Sequence, residues 1–553
     1  MISYICLYIS LLSILHKYFK FKSTNNLYSL LLSSSVLSYT LLGLVSLILI
    51  SIGKSRFPII ILSLSTLLIT FFFNEDFLLR ISIIKNYLLE EFNHFKKNNS
   101  KITITLITIL IFLITFSSIG PINHPDALDY HVGYPFQYWL KSKFFVDGGL
   151  HQALLGSGDY ANLAFIQENS IWLIRLIQII NLPLIILFLV NRCQTKFFII
   201  AFLTSPVFIQ WSTIGKPLFI TDSACGIAFI LWHENKDSIS RNLLLICIIS
   251  CISVKISSLI VCLPIILDLI YCRYKEIDKS NLLKNLGYPS INFFVLIPIL
   301  ILVSILLSRQ VIINNFAFPL LTEIFNKNNN AVINFANELK EYQRDNLFPI
   351  KIFLPFSLSN IGSCLGPSIF FMIIINYFRK KFFTYFLKNK LLTIGSIQIL
   401  LLLLFSQGRS DYYALPIILF IYFSDRLNLV NIFLKNLLFI SNFSQFLIII
   451  CFLVISINQS FFSALNYNQT MQNTAYGYSS SQYINHNIEG NIFHNVGRNV
   501  RFFYPTNYLD KDRYNNCLLE SIDNQELCLN KFKVNQIISN PDFLKNKSNF
   551  YCF

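Results

Sequence analysis

The feature that most constrains this chain is a succession of apolar runs of bilayer-crossing length, separated by short polar segments carrying clustered Lys and Arg. A run of that length has no place on the surface of a soluble domain, and in lipid its backbone must satisfy its own hydrogen bonds, so the runs read as helices. The expected spans, about fourteen, are 2–18, 27–50, 57–74, 102–118, 170–190, 197–211, 218–232, 242–254, 256–271, 291–308, 350–378, 391–406, 411–425 and 436–457. Composition agrees: 54% of the 553 residues are hydrophobic and 13% are charged. Soluble domains carry roughly twice that share of charge. The net charge of +16 is dispersed between runs rather than gathered into one basic domain, which argues against nucleic acid as a partner. The first run lacks a basic leader and a small-residue cleavage site, and is expected to stay as a span.

The stretch from Asn242 to Tyr271 is the hardest to divide. As one helix it measures about 45 Å, against roughly 30 Å of hydrocarbon. It carries Lys255 near its middle, so a break is expected there, with Lys255 and Ser257 at the turn. With that break, the loops carrying Lys17/Lys20/Lys22, Lys85/Lys96/Lys97/Lys101, Arg192/Lys196, Lys236/Arg241, Arg273/Lys275/Lys279/Lys284, Arg379/Lys380/Lys381/Lys388/Lys390 and Arg426/Lys435 share one side. They hold roughly twice the basic residues of the opposite set, so they are expected to be cytoplasmic. Three polar segments then share the outer side: 119–169, 309–349 and the tail 458–553. The expected class is an all-α polytopic membrane protein with a small extracytoplasmic C-terminal segment. It divides into three N-terminal spans (1–100), a membrane core (101–457) and the tail or small domain (458–553).

Chemistry concentrates in Asn123-His124-Pro125-Asp126-Ala127-Leu128-Asp129-Tyr130-His131, just past an apolar run. Ionisable clusters at a membrane boundary are costly unless solvated or paired, which marks them as functional candidates. If 126–140 is helical, Asp126, Asp129, Tyr130, Gly133 and Tyr134 share a face. Pro125 suits a first helical turn, and Pro135 is expected to kink or end the helix. Tyr138 and Trp139 suit an interfacial position. A carboxylate on such a face can take a proton from an acceptor hydroxyl; the plainer alternative is that Asp126 caps the helix and Asp129 is solvated. Lys216, Asp222, Lys255, Arg409 and Asp411 are also assigned to the outer face. Lys and Arg there suit a phosphate group, or simply snorkel to headgroups. Arg175, one turn into its span, is read as a snorkelling residue.

Most of the twelve cysteines fall in apolar runs, without CxxC or Cys/His metal spacing. Cys247 and Cys251, four apart, are read as packing residues. In the tail, Cys517 and Cys528 bracket a short polar stretch suited to a disulfide, with Cys528–Cys552 or three free thiols as alternatives.

The order of these motifs resembles the C-type (GT-C) integral-membrane glycosyltransferases, which use sugars linked to polyprenyl phosphate and include protein O-mannosyltransferases and aminoarabinose transferases. Members place an acid in a large first outer loop, in a pattern similar to Asp126-Ala127-Leu128-Asp129-Tyr130-His131 followed by Phe136-Gln137-Tyr138-Trp139. Shorter similarities are Lys216-Pro217 to Asp222, Val254-Lys255-Ile256-Ser257, Asn315 to Pro319, Gly362 to Pro367, and Arg409 ahead of Tyr412-Tyr413-Ala414-Leu415-Pro416. The resemblance covers 101–457. It implies a polyprenyl-phosphate-sugar donor, a lipid, glycan or protein acceptor, and a site facing the periplasm or exterior of a bacterial inner membrane. It implies Asp126 or Asp129 as catalytic acid–base, with the pattern favouring Asp126, and Tyr130, His131, Lys216, Asp222, Lys255 and Arg409 as substrate-binding. Family members often carry a second acid next to the first; here Ala127 stands there. No cofactor is implied. Polymerases or ligases of lipid-linked glycans and polytopic transporters are the alternatives.

Overall fold

The computed structural model describes residues 1–19, 26–146, 150–193, 196–276, 293–319, 322–326, 329–341, 350–354, 364–377, 389–405, 410–425, 432–462, 467–475, 478, 492–494, 508–510 and 536–538. Helices dominate. The first five are α1 (Ile2–Phe19), α2 (Leu27–Ser51), α3 (Ile59–Phe73), α4 (Phe77–Asn98) and α5 (Lys101–Ser117). Among the described residues, five helices are long and apolar enough to cross a membrane, or six if α3 and α4, bent by 101°, count as one span. This makes the chain a helical protein with several potential membrane spans.

Several expected runs are interrupted, and the residues at the breaks give the reason. The run 170–190 keeps its spanning length as Ile171–Arg192, one of the five, with a local irregularity between α8 (Ile174–Gln178) and α9 (Leu182–Arg192) and Pro183 in the first turn of α9, where its missing N–H costs nothing. The run 197–211 divides into α10 (Lys196–Leu203) and α11 (Val207–Thr213) around Ser205-Pro206. Helix α12 covers Phe219–Asn235 and α13 covers Ser238–Val254. Lys255 then leaves helical geometry, with φ −150° and ψ 115°. A short 3₁₀ turn, Ile256–Ser258, leads into α14 (Leu259–Glu276). Helix α4 was not expected from hydropathy, since it carries Arg80, Lys85, Glu90, Glu91, Lys96 and Lys97. Its packed residues Phe77, Ile84, Tyr87 and Phe95 recur on one side, as an amphipathic helix requires.

The polar segments gather at one end of the bundle. The Phe144 amide donates to Ile50 O at the end of α2 (3.0 Å), and Ser55 Oγ donates to Tyr138 O (2.8 Å). Helix α15 (Phe293–Ile313) ends at this same place. Its buried Arg309 donates to Phe318 O, and to Leu154 O and Leu155 O at 3.3 Å each. Leu150, Ala153, Phe318, Val332 and Phe335 form a small core there. The start of the tail joins too, with Met471, Ala475 and Tyr478 packed in one cluster with Ile122, Tyr130 and Tyr138. The other end of α2 meets α4: Tyr28 Oη donates to Glu91 (3.0 Å), as does Asn191 Nδ2 (2.6 Å).

The tail is not wholly helical. Its described part includes three short strands, β1 (Ile492–His494), β2 (Tyr508–Asp510) and β3 (Gln536–Ile538). They form a parallel sheet in the order β2-β1-β3. Cys517, Cys528 and Cys552, and with them the expected disulfide, lie outside the described residues.

Candidate functional site

The acidic stretch does not form the regular helix its spacing suggested. Pro125 opens a helical turn, which widens into a π turn over Ala127–His131, closed by the Val132 amide on Ala127 O (2.9 Å). Helix α6 (Gly133–Lys141) follows. The wider turn holds more residues than an α-turn, so the i, i+3, i+4 alignment of Asp126 with Asp129 and Tyr130 is lost. The Asp126 side chain stays 31% exposed, while that of Asp129 is 1% exposed. Pro135 does not kink a helix; it occupies the first turn of α6, where no intrahelical N–H bond is required. Tyr138 is fully buried rather than interfacial, against Phe144, Phe145 and Tyr160.

Asp126 is paired. Its Oδ2 lies 3.1 Å from Lys216 Nζ, whose side chain is 14% exposed. Burial pushes the Asp126 carboxyl up, but Lys216 first and His124 after it outweigh that and hold the group well below the usual carboxylate range. Lys216 comes from the loop between α11 and α12, where Gly215 adopts φ +78°. Helix α7 (Ser157–Gln167) packs directly on this loop: a Cβ at Gly158 would stand 2.5 Å from Pro217 Cβ. Only glycine allows that approach.

Beside the pair lies a buried imidazole–carboxylate contact. His131 Nδ1 is 2.5 Å from Asp159 Oδ1, and both side chains are 0% exposed. Asp159 sits in the first turn of α7, and its Oδ2 accepts from the Gly156 amide (2.8 Å), a placement the helix dipole also favours. Asn162 Nδ2 donates to His131 O (2.8 Å). Burial lowers the His131 pKa, with Lys255 and Lys216 acting in the same sense and Asp159 opposing them. The imidazole is therefore neutral at pH 7, and the carboxylate as acceptor assigns its proton to Nδ1. Nε2 then holds the lone pair.

Lys255 completes the cluster. Its ammonium stands 4.9 Å from the centre of the Tyr130 ring, within cation–π range. Tyr130 stacks near His131 (4.0 Å between ring centres) and faces His151 (5.7 Å); His151 Nδ1 is 3.9 Å from Asp129 Oδ2. The Lys255 turn is pinned from α7, since a Cβ at Gly156 would fall 1.9 Å from Val254 O. Next to it, Ser257 Oγ and Tyr412 Oη share a 2.5 Å hydrogen bond.

The other candidates are placed differently. Asp222 is buried within the bundle, accepting from Cys251 Sγ and Ser258 Oγ at 3.4 Å each. Arg409 lies outside the described residues, as does the side chain of Asp411. Arg175 does not snorkel. It is 1% exposed, its Nη1 reaches only Thr213 O (3.4 Å), and among the described residues its Nε and Nη2 have no hydrogen-bond partner. The sulfurs of Cys225, Cys251 and Cys262, from three helices, lie within 4.8 Å of one another.

Asp159, His151 and Arg309 were not anticipated. Asp159 carried one signal, an acid following Gly156-Ser157-Gly158 at a helix start. His151 and Arg309 carried none, because their roles come from contacts across distant segments. No family model, curated protein or solved structure matches this chain.

Proposed function

We propose that this chain is an integral-membrane glycosyltransferase that moves a sugar from a polyprenyl-phosphate-linked donor to a lipid, glycan or protein acceptor of the envelope. The observation that carries the reading is a part-exposed carboxylate, Asp126, held ionised by Lys216 at 3.1 Å where the polar segments meet. In the proposed reaction an acceptor hydroxyl attacks the anomeric carbon. The bond from that carbon to the phosphate oxygen breaks, and the phosphate leaves with the electron pair. Asp126 receives the hydroxyl proton. Lys216 links the two ends of the event. An anionic leaving group draws its ammonium away from Asp126, which raises the proton affinity of the carboxylate as the transfer begins. Lys255, and Arg409 from its loop, are assigned to the developing phosphate charge. His131, Tyr130 and Asp129 are assigned to holding the π turn rather than to proton transfer.

The proposal includes about fourteen spans, with 119–169, 309–349 and 458–553 on the periplasmic or outer side of a bacterial inner membrane. Cysteines placed at Ser142 and Lys381 should then label from opposite sides. The function is tested by mass spectrometry of envelope glycans from cells with and without the protein, together with transfer assays on the purified protein using radiolabelled polyprenyl-phosphate sugars. A missing glycan and donor-dependent transfer are expected. Unchanged glycans with no use of any such donor would reject the reading.

One observation favours a second reading. Arg175 and Asp222 are both buried within helices of the bundle, and intramembrane ionisable groups also mark transport pathways. A transporter would move solute into sealed proteoliposomes without consuming a lipid-linked sugar.

A further inference from the structure

Helix α4 lies at the end of the bundle opposite the Asp126 site. Its Glu91 accepts from Tyr28 at the start of α2, its Arg80 meets His16 at the end of α1 (3.3 Å), and Asn191 at the end of α9 donates to it. The Asp126 end, by contrast, is tied to the far end of α2 through Ile50. Helix α2 has 25 residues, about 37 Å at 1.5 Å per residue, so the two ends are a bilayer apart.

The direction of α4 is as telling as its place. Helix α3 packs along α1, and α4 turns 101° away from α3. A helix nearly perpendicular to its spanning neighbours runs in the membrane plane. Three flanks run along its 22 residues. Phe77, Ile84, Tyr87 and Phe95 are buried against the bundle. Leu78, Ile81, Lys85, Leu89, Phe92 and Lys96 recur at three- and four-residue steps on a second flank. There Leu78, Leu89 and Phe92 are 67%, 49% and 43% exposed, too much apolar surface for water to be the intended neighbour. Leu79, Ile83, Asn86, Glu90, Asn93 and Lys97 form the third, which is apolar over its first turns, with Leu79 and Ile83 60% and 45% exposed, and polar from Asn86 onward. On the second flank both charges are lysines, and Lys96 Nζ folds over the Phe92 ring at 4.7 Å. That contact places the Lys96 charge directly beside the apolar anchor Phe92, the pairing of cation and apolar side chain that suits the boundary between headgroups and acyl chains. The exposed apolar surface continues into Phe71, Phe72 and Phe73 at the end of α3.

We propose that α4 is an in-plane membrane helix that binds anionic lipid headgroups through Lys85 and Lys96, with Leu78, Leu89 and Phe92 seated at the acyl boundary, on the membrane face opposite the Asp126 site. The partner is a lipid surface, and the inference stands whether or not the chain transfers sugars.

The test uses the full-length protein in bilayers. Leu89→Trp and Asn93→Trp are compared for fluorescence quenching by lipids brominated near the headgroup, with the four native tryptophans subtracted through the parent protein. Quenching at 89 and little at 93 is expected. Equal quenching at both, or none at 89, overturns the in-plane placement. Separately, anionic lipid is titrated into zwitterionic bicelles and Tm is followed. The wild type should gain stability, and Lys85→Glu with Lys96→Glu should lose most of that gain while keeping its Tm in zwitterionic lipid. An equal gain in the variant overturns the headgroup contact. If the variant does not fold, Lys85→Gln with Lys96→Gln gives the same comparison without reversing charge.

Discussion

His131 and Asp159 face each other at 2.5 Å with neither side chain reaching solvent. The contact joins the acidic π turn to the first turn of α7, and α7 in turn presses on the loops that carry Lys216 and Lys255 through two glycines. The part-exposed Asp126–Lys216 pair is thus held in place from behind by a buried hydrogen-bonded pair.

Breaking the buried pair should loosen the site. Asp159→Ala removes the acceptor of His131 and the partner of the Gly156 amide. A hydrogen bond to a charged group contributes about 1.5–3 kcal/mol, and a fall in Tm of the purified protein is the expected outcome. An unchanged Tm would mean that α7 and the π turn are held elsewhere.

Stability should also depend on pH through His131. Its pKa in the folded protein is lowered from 6.5, chiefly by burial. The unfolded chain therefore binds the proton more readily, and stability rises with pH in that window. The contribution is complete above about 6.5 and is lost as the pH falls through the lower folded-state value. Melting curves at pH 7.5 and 5.5 should show a loss at acid pH that is smaller in His131→Gln.

The two acids should separate by readout. Asp126→Asn leaves a part-exposed amide of the same shape, so folding should persist while transfer falls by roughly 10²–10⁴-fold. Asp129→Asn alters a buried carboxyl, and its main effect should be on Tm. The reverse pattern would move the base to Asp129, and wild-type transfer by both variants would remove the general-base mechanism.

Arg175 offers a test in which stability and function move in opposite directions. Among the described residues the buried Arg175 guanidinium has no carboxylate partner, which is costly, and replacing even paired buried ionic groups by hydrophobic residues of similar volume is often neutral or stabilising by about 1–4 kcal/mol. Arg175→Met should raise the Tm of the ligand-free protein. If the unfilled Nε and Nη2 face an anionic donor, the same variant should raise the KM for that donor. A lower Tm with unchanged KM would make Arg175 a structural residue.

Gly156 should tolerate no side chain. An added Cβ would fall 1.9 Å from Val254 O, a clash with backbone next to Lys255. Overpacking of this kind costs about 1–3 kcal/mol; Gly156→Ala should lower Tm and, by shifting Lys255, transfer as well.

Hydropathy by itself determined that the chain is helical, with several helices long and apolar enough to span a membrane. Length against bilayer thickness, with one lysine, located the break at Lys255. The density of acids and imidazoles marked 123–131 as the candidate site. These properties are local, so they can be counted along the sequence. Tertiary structure decided what each of those residues does. The π turn separated Asp126 from Asp129, a difference in turn width that side-chain periodicity does not encode. Lys216 reached Asp126 through a loop between two helices, and Asp159 reached His131 from 28 residues away. Arg175, read from its position as a headgroup residue, became a buried cation because neighbouring helices closed over it. Helix α4, too charged to register as a span, acquired its direction only from the bundle it packs against. Pairings of this kind depend on which helices become neighbours, and burial depends on all of them together.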